Sequence, residues 1–243
     1  MEKAEYVECY VAFLDMLGFK NLINDSSCDE IAGIFAKFSN SKPLKEEYLG
    51  DRNIISDNTA DALKVKVMSD SICFYIDVNI TNALLCIILS CIYFQYELYQ
   101  NNIPIFLRGA IVRGHLYANK DIIFGPGLTQ AYLLEENNTK YPRIILTNET
   151  LQSVKIRKEY NLDDHLSMLR RFVFRDDDAF YVVDCIRILF IGDQTIHEKV
   201  EKRIEHMLDT TVDSSIREKY LYLEKKLNLA MQRVKIQLEQ RKE

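Results

Sequence analysis

The sequence predicts an α+β fold on the ferredoxin-like, split βαβ plan, with helices on one face of a mainly antiparallel sheet and a helical extension at the C-terminus. Three observations carry that expectation. Strand-like runs rich in Val, Ile, Phe and Tyr alternate with helix-period stripes in the order β-α-β-β-α-β. Residues 61–68 and 71–78 are two such runs separated only by Ser69 and Asp70, the mark of a tight hairpin. From about residue 194 the composition turns to charged helix, which divides the chain into a domain over 1–192 and an extension over 193–243.

In chain order, residues 6–14 read as a strand and 17–40 as a helix whose apolar stripe is Leu22, Ile23, Ile31, Ile34, Phe35 and Phe38. Residues 41–60, with Pro43 and Gly50 and little periodicity, read as a loop. After the hairpin, residues 80–100 form a buried helix ended by Asn101, Asn102 and Pro104. Residues 103–117, IPIFLRGAIVRGHLY, are a long strand carrying two arginines and two glycines. A short strand IIF, a GPG turn and a helix AYLLEE follow, then strands at 144–147 and 179–186. In residues 213–243, Ile216, Tyr220, Leu223, Leu227, Ala230 and Val234 recur at spacings of four and three, as either a heptad stripe for a coiled coil or the buried face of a helix packed back on the domain.

Composition narrows the function classes. A net charge of −5 and a pI near 5.5 give no general field for nucleic acid or an anionic membrane, so an anionic substrate is met by local charge. The six cysteines show no CxxC pair and read as reduced core residues of a cytosolic protein. The longest apolar run, residues 83–94, is too short to span a bilayer, which takes roughly 20 residues, and the N-terminus has no apolar signal region. The four histidines lack ligand spacing with one another or with cysteine.

The candidate chemistry is carboxylate. Asp15 stands at the end of the first strand and Asp70 at the hairpin tip, where a rigid scaffold holds two carboxylates close enough to share divalent metal; hard Mg²⁺ or Mn²⁺ takes few carboxylates plus substrate phosphates. An aspartate after a buried strand is otherwise a helix N-cap. Asp176, Asp177 and Asp178 read as turn chemistry before a strand. Arg108 and Arg113, five apart, fall on opposite faces of their strand, so at most one points into a given cleft.

Five segments in register over residues 10–150 resemble the class III nucleotidyl cyclases. FLDMLGF resembles the F-x-D-hydrophobic-x-G-F metal motif, and KVMSDSICFYID the second metal hairpin, with Ser69 in place of glycine. LRGAIVRGHLY resembles the R-x-G-I-x-x-G strand, IIFGPGLTQAYLLE the D-x-x-G-x-x-x-N-x-A-x-R-L helix start, and RIILTNET the strand and turn that follow. The wording RGAIVRG…FGPGLTQAYLLEE…YPRIIL further resembles the pyrimidine cyclases of Pycsar antiphage systems, which make cyclic UMP or cyclic CMP to activate a partner effector.

The resemblance implies two divalent ions, Mn²⁺ or Mg²⁺, on Asp15, Asp70 and the Met16 carbonyl. It implies that the amides of Leu17, Gly18 and Phe19 cradle the β- and γ-phosphates with Lys20 adding charge, and a homodimer whose composite sites draw on both subunits. Departures are informative. Thr129 stands where purine cyclases carry asparagine, and Leu133 where they carry the transition-state arginine, leaving Arg108, Arg113, Arg143 and Arg175 as candidates to replace it. Lys66 keeps the first base-reading position, but Ile122 replaces the adenine-selecting aspartate. Lys66 and Ser69 then offer a donor and a hydroxyl to a carbonyl-rich edge, with Phe124 and Tyr132 filling the space of a missing second ring, which favours UTP over CTP and both over ATP.

Overall fold

The computed structural model describes residues 4–39, 57–154, 168–190 and 193–240. β1 (Val7–Leu17) runs three residues beyond the expected strand: the hairpin β2 (Lys64–Met68) and β3 (Ser71–Asp77) pairs with it as far as Asp15, opposite Ser71, and Met16 and Leu17 pair with Leu107 and Phe106 on its other side. The expected single helix over 17–40 is two, α1 (Phe19–Asp25) and α2 (Cys28–Ser39). The break is a capping box: Glu30 accepts from the Ser27 amide at 2.8 Å, while the Ser27 hydroxyl oxygen accepts from the Glu30 amide at 3.3 Å, so α2 restarts with its own N-terminus. Of the expected stripe, Leu22, Ile31, Ile34 and Phe35 pack on the core, Ile23 is exposed, and the Phe38 side chain lies outside the described residues. Residues 41–56 of the expected loop also lie outside them, and α3 (Asp57–Ala62) follows.

α4 (Ala83–Tyr99) is buried almost all round, matching its unbroken apolar composition. β4 (Phe106–Ala118) pairs antiparallel with the whole of β1 and, by a two-residue bridge, with β5 (Ile123–Phe124). Then come α5 (Pro126–Asn138), β6 (Ile144–Leu146) and α6 (Asn148–Gln152), whose N-cap is Thr147, the last residue of the expected strand. β7 (Val173–Arg175) and β8 (Tyr181–Val183) close the sheet in the order β2-β3-β1-β4-β6-β8-β7. Among the described strands the split βαβ core β2-β3-β1-β4 pairs antiparallel throughout, and the added pair of β4 with β6 is parallel.

The expectation of helices on one face holds for α4 but not for α5. Tyr10, Ala12 and Leu14 of β1 share a core with α4, whereas Cys9 and Val11, pointing the other way, share one with Ala131 of α5. The closeness of α5 to β4 has a specific cause: Gly114 faces Gly127, and a Cβ on Gly114 would stand 2.7 Å from the Gly127 Cα.

After a 3-10 turn, α7 (Gln194–Thr210) buries Ile196, Val200, Ile204 and Leu208, and α8 (Ser214–Gln240) follows. The stripe read as heptad or packed face packs back: Tyr220, Leu223 and Leu227 join the main core, with the Tyr220 ring edge-on to Phe106 at 5.9 Å. Among the described residues no helix is long and apolar enough to cross a membrane.

Candidate active site at the Asp15 and Asp70 corner

Strand register brings the two sequence-predicted carboxylates together. The amide of Met16 donates to the Asp70 carbonyl at 3.1 Å, so the hairpin tip is stitched to the residue after Asp15. The tip turns through Ser69 at φ 58°, the left-handed region, which is why a glycine suits this position in the resembling motif. Asp15 is not a helix N-cap. Gly18, at φ 79°, holds that position before α1 without any side-chain cap.

Asp15 points to the α5 face, as do Cys9, Val11 and Phe13 at the alternate positions of β1. Directly across the ladder stands Arg108, whose Nε donates to Asp15 Oδ2 at 2.7 Å and lies 3.0 Å from Glu135 Oε1. Burial pushes the Asp15 carboxyl above its ordinary value, against the pull of the Arg108 guanidinium, and the neighbouring Asp70 charge pushes the same way. Glu135 is likewise pushed up by burial. One arginine thus serves two carboxylates, and neither is saturated by it.

Glu135 escaped the sequence reading. The signal was there: Gly127, Ala131 and Glu135 form the buried stripe of α5 at a spacing of four, and a carboxylate on such a stripe needs a cation opposite.

The remaining candidates divide. The first helical hydrogen bond of α1 runs from the Leu22 amide to the Gly18 carbonyl, so the amides of Phe19 and Lys20 are free of helical partners, beside Asp15. The side chains of Met16 and Phe19 are buried, leaving only their backbone for a ligand. α1 has seven residues instead of the expected two dozen, which weakens the dipole argument and leaves the amides themselves. Lys66 reaches across to donate to the Lys120 carbonyl in the β4–β5 turn, next to Ile122. Phe124 packs against Tyr6 and Tyr117, and Tyr132 is edge-on to Phe13 at 5.6 Å. Thr129 is exposed on the first turn of α5.

Two arginines go elsewhere, and a third is committed to structure. Arg113 points to the opposite face, where it grips both oxygens of Glu8 at 3.0 and 2.9 Å and donates to the Ser153 carbonyl. Arg175 lies on β7, four strands from β1. Arg143 is buried against Asp176 and Asp178. Within one chain, Arg108 alone of the four candidates stands at the Asp15 corner.

The donor set fits a hard divalent ion that also takes substrate oxygens. Two adjacent carboxylates and a backbone carbonyl supply part of an octahedral shell, and among the described residues no group of three or more His, Cys, Asp or Glu side chains encloses an ion by itself.

No protein-family model and no curated protein matches the chain. Solved structures similar to it include the monomeric guanylyl cyclase domain of the RhoGC fusion protein from the aquatic fungus Blastocladiella emersonii. That match has 12% identity and a TM-score of 0.48, over 75% of this chain and 98% of that one. The catalytic core of a rhodopsin-guanylyl cyclase with converted specificity, in complex with ATPαS, matches at 15% identity and a TM-score of 0.47, over 64% and 84%. An adenylate/guanylate cyclase/hydrolase from Silicibacter pomeroyi matches at 19% and 0.40, over 62% and 81%.

Proposed function

We propose that this chain is a metal-dependent nucleotidyl cyclase that converts a pyrimidine nucleoside triphosphate, UTP before CTP, into its 3′,5′-cyclic nucleotide and diphosphate. The observation that carries the reading is the stitched corner of Asp15 and Asp70, two carboxylates from different elements brought together where the sequence carries the cyclase-like motifs. Two divalent ions on Asp15, Asp70 and the Met16 carbonyl would supply charge neutralisation of the triphosphate and activation of the ribose 3′-hydroxyl.

The chain's own groups do the rest. The amides of Leu17, Gly18 and Phe19 and the Lys20 side chain hold the β- and γ-phosphates. Arg108, released from Asp15 but still facing Glu135, offers its guanidinium to the leaving diphosphate. The 3′-oxygen forms its bond to the α-phosphorus as the bond to the β-phosphate oxygen breaks, and the hydroxyl proton leaves to solvent. Thr129 donates from the start of α5.

The active form is a homodimer with composite sites. Support comes from the exposed apolar belt of Ile122, Phe124, Tyr132 and Leu133, each more than 40% exposed, which a monomer would leave in water. A partner would also bring Lys66 of the second copy toward a neighbouring site. Mixing Asp70→Ala with Lys66→Ala should restore part of the lost turnover if sites are shared between subunits. In a cell the product would be a cytoplasmic second messenger acting on a cyclic-nucleotide-activated effector in antiphage defence, with no role for nucleic acid or membrane.

The test is incubation with each of the four NTPs and Mn²⁺, with products resolved by mass spectrometry. Cyclic UMP ahead of cyclic CMP is expected. A kcat/KM for ATP or GTP at or above that for UTP makes the chain a purine cyclase, and no cyclic product from any nucleotide makes it a nucleotide-binding module that has lost turnover with Leu133.

A further inference from the structure

A cavity of about 320 Å³ lies between strands β6, β7 and β8 and the C-terminal helix α8, with Tyr99 of α4 and Leu107 of β4 among the residues that line it. That volume is at the small end of ligand pockets, which run from roughly 300 to 1,000 Å³. The floor is apolar, made of the core residues Tyr99, Leu107, Ile144, Val183 and Leu223, and the rest of the lining is polar. The polar part of the lining is cationic on balance, with Arg143, Arg175, Lys225, Lys226 and Arg233 against Asp176, Asp177 and Asp184.

These charges are not equally engaged. Asp176 holds Arg143 at 2.7 Å and Lys226 at 2.6 Å, Asp177 lies 3.7 Å from Lys225, and Asp184 accepts from the Arg187 amide. Arg175 and Arg233 are both exposed; among the described residues no ion pair holds Arg175, and Arg233 lies within the electrostatic reach of the buried Asp184. The Arg233 guanidinium instead lies 5.9 Å from the centre of the Phe174 ring, which also lines the cavity. A cavity with an apolar floor and a rim that carries more cations than carboxylates, Arg175 without an ion pair among them, is complementary to a molecule that is flat and apolar at one end and negatively charged at the other.

We infer that this cavity is a second ligand site, distinct from the Asp15 corner, which takes a small aromatic anion with its ring on the Leu107, Ile144 and Leu223 side and its charge on Arg175 and Arg233. Leu107 is the strand neighbour of Arg108, so an occupant touches the strand that carries the arginine of the candidate active site.

Two probes that share a ring system and differ in charge test this without reference to any turnover. 8-Anilinonaphthalene-1-sulfonate carries the sulfonate; N-phenyl-1-naphthylamine lacks it. Fluorescence titration of the folded full-length chain should show one saturable sulfonate site per chain, with the uncharged probe at least tenfold weaker. Arg233→Gln, at an exposed position, should remove that preference. Ala230→Trp, which fills the cavity from α8, should remove saturable binding of both. Equal affinity for the two probes overturns the inference, as does sulfonate binding that survives both substitutions, because the probe is then on the exposed apolar belt around Phe124. Absence of saturable binding to the wild-type chain overturns it too.

Discussion

Two aspartate–arginine assemblies, a half-buried one between β1 and β4 and a buried one at the β7–β8 turn, behave in opposite ways. At Asp176 every acceptor direction is used: Arg143 at 2.7 Å, the Tyr222 hydroxyl at 2.9 Å and the Lys226 ammonium at 2.6 Å, with the stacked rings of Tyr141 and Tyr222 at 4.6 Å beside them. Burial works to raise that carboxyl, but Lys226, Tyr222, the Asp177 amide and Arg143 outweigh it and hold it at about 2. At Asp15 burial wins. A single shared arginine leaves the carboxyl above its ordinary value and with lone pairs to spare. A saturated carboxylate is a staple, here tying α8 to the β7–β8 turn. An unsaturated one held in a buried corner is what a metal and a triphosphate can use.

The comparison breaks first at Asp15 and Asp70. Asp15→Ala or Asp70→Ala should each lower cyclisation by about 10³-fold or more, the loss of several kcal/mol of charge stabilisation. Neither should disturb the fold, because Arg108 keeps Glu135 in the first case and Asp70 sits at a turn in the second. Wild-type turnover by either variant at saturating Mn²⁺ would remove the two-metal assignment.

The staple should show the reverse pattern, large on stability and small on chemistry. Asp176→Ala strips Arg143 and Lys226 of their shared partner, with Asp178 and the Asn138 carbonyl left to Arg143, and should cost about 3 kcal/mol in urea unfolding. If the unfolding midpoint does not move, α8 is not tied down through this carboxylate.

Acid provides a smaller and finer version of the same test. Because the folded Asp176 carboxyl sits at about 2, below the ordinary 3.8, its contribution is fully present above pH 4 and fades as pH falls toward 2. It amounts to about 2 kcal/mol at most. The stability difference between the wild-type chain and Asp176→Asn should therefore shrink across that window, and a difference constant down to pH 2 would contradict the saturated carboxylate.

The contrast also explains what was legible in the sequence. Asp15 and Asp70 were, because each ends or joins apolar runs with strand periodicity and the Ser69–Asp70 pair leaves no room for anything but a hairpin. α4 was, since seventeen residues without a polar face have one place to go. The Asp176 cluster read as turn chemistry, which its place between β7 and β8 bears out, but nothing local revealed that Tyr222 and Lys226 would arrive from some fifty positions on. β7 was missed because three residues are too few to show a period. The break between α1 and α2 was visible as Ser27-x-x-Glu30 but hidden by the apolar residues on both sides.

Glu135 sharpens the comparison most finely, since it alone keeps Arg108 from behaving at Asp15 as Arg143 does at Asp176. Replacing it by glutamine removes the charge but keeps the shape and the hydrogen bond available to Thr139. Arg108 then loses the anion opposite Asp15 and settles on the Asp15 and Asp70 side, competing with any divalent ion for the same oxygens. Glu135→Gln should therefore weaken Mn²⁺ binding by roughly tenfold, about 1.4 kcal/mol, followed by the loss of the free-ion resonance signal in titrations without nucleotide. Turnover should be recovered at raised Mn²⁺, which separates a positioning role from a catalytic one. Unchanged Mn²⁺ affinity with lowered turnover would mean that Glu135 acts on the substrate and not on the hold of Arg108 over Asp15.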